Sequence, residues 1–121
     1  MAKSLSKIRS EAFRRQAGRC YYCGVVMCAD EPTAFATAYR LTLRLVKSLC
    51  CTAEHLVPKQ DGGCNSVSNV AAACWLCNQR RHKQRKVAPT PDAYRALVRR
   101  RVARKRWHAP QVFERGLIAG E

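Results

Sequence analysis

Residues 54–82 read EHLVPKQDGGCNSVSNVAAACWLCNQRRH, and this stretch decides how the rest of the chain is understood. It opens on a short run from Leu49 to Val57 that carries Cys, Thr, Leu and Val and is closed by Pro58, which reads as a strand. Asp61-Gly62-Gly63 is a turn signal, and Asn65 to Asn69 continues as polar loop. From Val70 the run Ala71-Ala72-Ala73 leads into Cys74-x-x-Cys77, and a basic helical segment follows to about Lys86, ended by Pro89 and Pro91. Glu54 and His55 are neighbours, so in a regular strand they face opposite sides and cooperate only where the strand bends or ends.

Cys74-x-x-Cys77 has a counterpart upstream, Cys20-x-x-Cys23. Two thiolates two residues apart can both face one tetrahedral Zn²⁺, and two such pairs complete a closed four-thiolate site. A closed site has no open position for water, so this zinc is expected to be structural. The competing readings are buried apolar cysteines or a redox dithiol. The distance in sequence between the pairs requires a whole hairpin to fit between them. Cys28, Cys50, Cys51 and Cys64 lack comparable spacing and are taken as core or surface thiols.

Outward from this centre, Leu5, Ile8 and Ala12 recur at helical spacing, predicting a helix over 5–16 with Gly18 as its stop. Asp30-Glu31-Pro32 looks like a helix start, whereas Tyr39, Leu41, Leu43 and Leu45 alternate with polar residues as in a strand; the helix reading is preferred for 30–47. Thr90-Pro91-Asp92 opens a last helix with Tyr94, Leu97, Val98 and Val102 as its apolar stripe. The organisation is an N-terminal helix over 1–18, a core over 19–88 and a basic helix with a tail over 89–121, forming one compact domain.

The chain has 121 residues and a net charge of +15, from 23 Lys and Arg against 8 Asp and Glu. Such an imbalance favours a polyanionic partner, with DNA or RNA first and an anionic membrane surface second. Twelve of the 23 cations lie between Gln79 and Arg106, where Asp92 is the only acid. No apolar core marks a signal peptide within 1–18, and no uncharged stretch is long enough to span a bilayer, so an intracellular, reducing, cytoplasmic setting is expected.

Taken together, Glu54-His55-Leu56-Val57-Pro58, Gly62-Gly63, Asn69, Cys74-x-x-Cys77-Asn78 and Arg81-His82 resemble the HNH endonuclease family. The resemblance covers 19–82, about half of the chain, and agrees in residue type, order and spacing. It implies an α+β chain with a ββα-metal core: a short hairpin and a helix clasping one divalent ion, with structural zinc knuckles and flanking helices around it. By residue-wise carry-over His55 is the general base, Glu54 and Asn78 are metal ligands, and Asn69 is the central Asn that braces the hairpin. His82, four residues after Asn78 and so on the same helical face, is a further ligand or a phosphate contact. Glu54 stands where the family more often has Asp or His.

The chemistry suits those roles. Imidazole exchanges a proton near neutrality, and a Mg²⁺-like ion prefers the oxygen ligands that Glu54 and Asn78 supply. Arg80, Arg81 and Lys83 would hold flanking phosphates, as would Arg100, Arg101 and Arg104 of the basic arm. Singly, Glu54 also reads as a salt-bridge partner and Asn78 as a cap. Trp107 reads as a packing residue more than a base-stacking one, and His108 as non-catalytic. The expected activity is divalent-ion-dependent hydrolysis of phosphodiester bonds in double-stranded DNA, with Zn²⁺ structural and Mg²⁺ or a similar ion catalytic. The alternatives are an inactive zinc-binding nucleic-acid module on the same fold and a thiol-redox or membrane-surface protein.

Overall fold

In a computed structural model, which describes residues 3–83 and 87–119, six helices surround a two-stranded antiparallel sheet. Helix α1, Leu5–Arg15, begins where the Ser4 hydroxyl accepts the Lys7 N–H, and it turns Ile8 and Ala12 inward. Gly18 comes next with φ +75°, the left-handed conformation its position was expected to need.

The expected helix over 30–47 is present but divided. Helix α2, Pro32–Tyr39, ends at Arg40, which takes φ +55°. A new cap then starts α3, Leu43–Ser48, where Thr42 Oγ1 accepts the Leu45 N–H. The alternation from Tyr39 to Leu45 thus spans a helix break. Leu41 and Val46 enter the core from either side of it, while Leu43 is exposed.

Strands β1, Cys51–His55, and β2, Val70–Cys74, pair antiparallel with Cys51 opposite Cys74 and His55 opposite Val70. Every residue of β2 is buried, because α1 lies against the sheet and the side chain of Gln16 caps the strand's outer edge. Its amide donates to Ala72 O at 2.8 Å and accepts from Ala72 N at 3.0 Å, serving as a surrogate third strand. Alanines at 71–73 leave room for a helix to approach this closely. Helix α4, Trp75–His82, continues from β2 without a linker, capped by the Cys74 sulfur on the Cys77 N–H. The remainder of the basic segment expected to reach Lys86 lies outside the described residues beyond Lys83.

Helix α5, Pro91–Ala103, starts as its sequence indicates, with Thr90 Oγ1 accepting from Ala93 N, and it buries Tyr94, Val98 and Val102. The segment beyond α5 is not a loose tail. Helix α6, Pro110–Glu114, is succeeded by Leu117 and Ile118, both buried, and Val26 N–H donates to Leu117 O at 2.9 Å. Residues 110–118 therefore close over the first cysteine knuckle. No helix among the described residues is long and apolar enough to cross a membrane.

Candidate active site and metal centre

The two knuckles meet. The sulfurs of Cys20, Cys23, Cys74 and Cys77 all lie within 4.8 Å of one another, and all four residues are buried. Zinc–sulfur bonds of about 2.3 Å in a tetrahedron place sulfurs about 3.8 Å apart, and Cys23 Sγ to Cys74 Sγ is 3.9 Å. Three of the sulfurs accept an N–H, as thiolates require in a dry site, and the fourth faces an imidazole nitrogen. Cys20 accepts from the backbone of Tyr22 and Cys74, and Cys74 accepts from Cys77 N. Trp107 Nε1 donates to Cys77 Sγ at 3.3 Å, and His108 Nε2 stands 3.3 Å from Cys23 Sγ.

Burial pushes the Cys74 and Cys77 thiols well above the ordinary range. Burial raises Cys23 too, but hydrogen bonds from Cys20, Cys74, Cys77 and His108 outweigh it and hold this thiol well below its ordinary value. A dication is what makes four thiolates tolerable in so dry a place. The donor set and geometry fit zinc. Cys28 is outside this cluster; its thiol donates to Asp30 O, and burial pushes both Cys28 and Cys51 up to about 11.

The hairpin carries the second constellation. Glu54 sits on β1 with only 1% of its surface exposed. Its Oε2 accepts from the Tyr22 hydroxyl at 2.8 Å and from Arg81 NH1 at 2.9 Å, and its Oε1 lies 3.0 Å from His82 Nε2. Tyr22 is pushed up in pKa by burial and by the Glu54 charge, so it remains a donor. The carboxylate is therefore two-sided. One oxygen is fixed inside the protein, and the other faces an imidazole that is one-third exposed.

Arg81 is the correction here. The sequence reading puts it at the phosphate surface, whereas the structure puts it inside, 1% exposed. Its guanidinium also donates to His55 O at 3.1 Å, Leu56 O at 2.9 Å and Pro89 O at 2.9 and 3.0 Å. One side chain thus binds the carboxylate of Glu54 and the next two carbonyls of the strand. A buried charge is tolerated only with partners of this completeness.

His55 ends β1, and its Nε2 lies 2.6 Å from Asn65 Oδ1. No bond joins the His55 ring to the Glu54 carboxylate among the described residues, in keeping with their opposite directions on the strand. Asn69 holds the loop beyond. Its amide accepts from Val57 N and donates to Val57 O and Cys64 O at 2.9–3.1 Å. Gly63 packs against the same carbonyl so closely that a Cβ would stand 1.6 Å from Val57 O, so no other residue fits. Asn78 donates through Nδ2 to Thr52 Oγ1 at 3.0 Å and Ala53 O at 3.3 Å, which fixes its amide against β1.

The other expected phosphate contacts fall in two groups. Arg80 donates to Trp107 O and lies 4.6 Å over that ring, while Lys83, Arg100, Arg101 and Arg104 are exposed. Trp107 is a packing residue, as its sequence suggested, with φ +85°. The roles of Tyr22 and Asn65, and the sulfur contacts of Trp107 and His108, do not show in the sequence. Each is defined by a partner ten or more residues away, and no local pattern signals that.

Residues 43–84 match the family described as HNH endonuclease, a span that contains α3, the hairpin and α4. Over that span the chain is similar to HNH endonucleases. Its hairpin and helix are the mixed α+β, ββα arrangement expected of that family, with the four-cysteine cluster beside it. No curated protein and no solved structure matches the chain.

Proposed function

We propose that the protein is a divalent-ion-dependent endonuclease that hydrolyses phosphodiester bonds of nucleic acid, with double-stranded DNA as first candidate and His55 as general base. The observation that carries this reading is the pairing of Glu54 Oε1 with His82 Nε2 at 3.0 Å within the span similar to HNH endonucleases. The contact has the length of a hydrogen bond, and it keeps the carboxylate and the imidazole close enough that both could turn to one divalent ion. Asn78, tied through its amide nitrogen, keeps its oxygen for the same task. When bound, the ion supplies charge stabilisation at the phosphoryl and leaving oxygens.

The chain's own residues do the rest. With Asn65 Oδ1 as acceptor, His55 Nε2 carries the hydrogen and Nδ1 keeps the lone pair that takes a proton from water. Arg81 and Asn69 hold the strand end and the loop that carry these groups. Zinc in the four-cysteine site has no part in the chemistry.

The test is cleavage of plasmid DNA with and without Mg²⁺ or Mn²⁺. His55→Ala is expected to lose about 10²–10⁴-fold in rate with zinc content, folding and DNA affinity retained. Asn78→Ala is expected to recover partly at higher divalent-ion concentration, and His55→Ala is not. A second reading, an inactive zinc-binding nucleic-acid module, draws on the ion pair that already engages Glu54 Oε2. Parent protein that binds DNA and never cuts it under these conditions decides for that module.

A further inference from the structure

The outer face of the first knuckle carries arginines that neither metal centre uses. An open concavity of about 440 Å³ lies there, lined by Arg19, Tyr21, Arg95 and Arg99 and floored by the zinc-site residues Cys20 and Cys23. Arg19 NH1 donates to Gly24 O at 3.1 Å, and Arg99 Nε donates to Tyr22 O at 2.6 Å. Arg95 lies 5.1 Å over the Tyr21 ring. The Arg99 guanidinium lies in van der Waals reach of Gly24, where a Cβ would stand 3.5 Å from NH2.

Each guanidinium is thus anchored at one point, to a carbonyl or a ring, and its other N–H groups remain open. Among the described residues none of the three forms an ion pair, and no acidic side chain lines the concavity. The zinc thiolates do not account for them. Those sulfurs are served by backbone amides, Trp107 and His108, and none accepts from an arginine.

We propose that Arg19, Arg95 and Arg99 form a docking notch for successive backbone phosphates of the nucleic acid, apart from the site of cleavage. The inference rests on the nucleic-acid reading above and extends it to residues that no motif marks. Three anchored forks that no carboxylate neutralises suit phosphate oxygens, because guanidinium presents paired donors and is weakly hydrated. The notch is also rigidly tied to the candidate centre. The Tyr21 ring stands 5.2 Å from that of Tyr22, edge to face, and the Tyr22 hydroxyl is on Glu54.

The test is the salt dependence of binding to a double-stranded oligonucleotide. Each phosphate contact contributes about 0.9 to the slope of log affinity against log salt. Arg19→Ala/Arg95→Ala is expected to flatten the parent's slope by about two such increments, with zinc content and melting temperature unchanged. Arg95→Gln, which forfeits only the contact over Tyr21, takes the same measurement if the double variant loses zinc, with about one increment expected. A slope unchanged in these variants overturns the notch, even if the parent cuts DNA. A flattened slope in a protein that never cuts DNA sustains the notch and removes the nuclease reading instead.

Discussion

Arg81 shows how much one side chain does here and how little of that is visible from charge alone. It neutralises Glu54 and holds the carbonyls of His55, Leu56 and Pro89, so its removal leaves a buried carboxylate and three loosened acceptors. Breaking one side of a buried pair costs about 3–5 kcal/mol, whereas removing both sides costs far less than the sum. Arg81→Met is expected to lower the denaturant midpoint by a loss of that size, and adding Glu54→Gln to restore part of it. Arg81→Lys should rescue little, since an ammonium cannot reach four acceptors as a fork does. Near-parental stability for Arg81→Met would show that the clamp is idle. The sequence reading placed Arg81 with Arg80 and Lys83 as a basic cluster. Helical phase puts Arg81 on the face of Cys77, four residues earlier, but phase alone does not choose a buried position for a charge. That choice depends on Glu54, 27 positions away. Gly63, by contrast, was legible as a turn residue, although only the structure adds the packing against Val57 O that excludes every side chain.

At the scale of elements, the cysteine knuckles were readable because their spacing is local: the ligands of each pair are two residues apart and their backbone N–H groups point at sulfur. What locks the knuckles together comes from the turn between α5 and α6. Trp107 stands at φ +85°, a conformation that costs a non-glycine residue about 1–3 kcal/mol, and from it the indole N–H reaches Cys77. His108 reaches Cys23 from the next position. Groups that hydrogen-bond metal ligands typically contribute about 10–100-fold in metal affinity. Trp107→Phe, which keeps the ring and deletes the donor, is therefore expected to weaken zinc retention by about that factor, and His108→Ala likewise. Competition with a chromophoric chelator measures it, and unchanged zinc affinity in both variants would reduce this turn to packing. The helix break at Arg40 belongs to the same scale. A non-glycine residue at φ +55° is not signalled by composition, and the alternating pattern across it imitates a strand.

Across the whole molecule, a charge of +15 on 121 residues is held together by few acids, one of which is buried in the core. The exposed cations should then serve the partner. DNA affinity is expected to fall by orders of magnitude between about 50 and 200 mM salt. Arg100→Ala/Arg101→Ala/Arg104→Ala should flatten the slope by about 0.9 for each residue that meets a phosphate, and an unchanged slope would assign this face of α5 to solubility. Composition, the paired Cys-x-x-Cys spacings and the ordered run from Glu54 to His82 determined by themselves the ββα core, the four-sulfur cluster and the likeness of 43–84 to HNH endonucleases. Each of these depends on spacing within a few residues or on residue type. The tertiary structure alone decided that α6 with Leu117 and Ile118 closes over the knuckle, that Arg81 faces Glu54, and that Trp107 and His108 serve the sulfurs. Those are pairings between segments far apart in sequence. Burial, not pattern, selects them: an apolar Leu117 or an uncompensated Glu54 finds its partner only once the chain has excluded water around it.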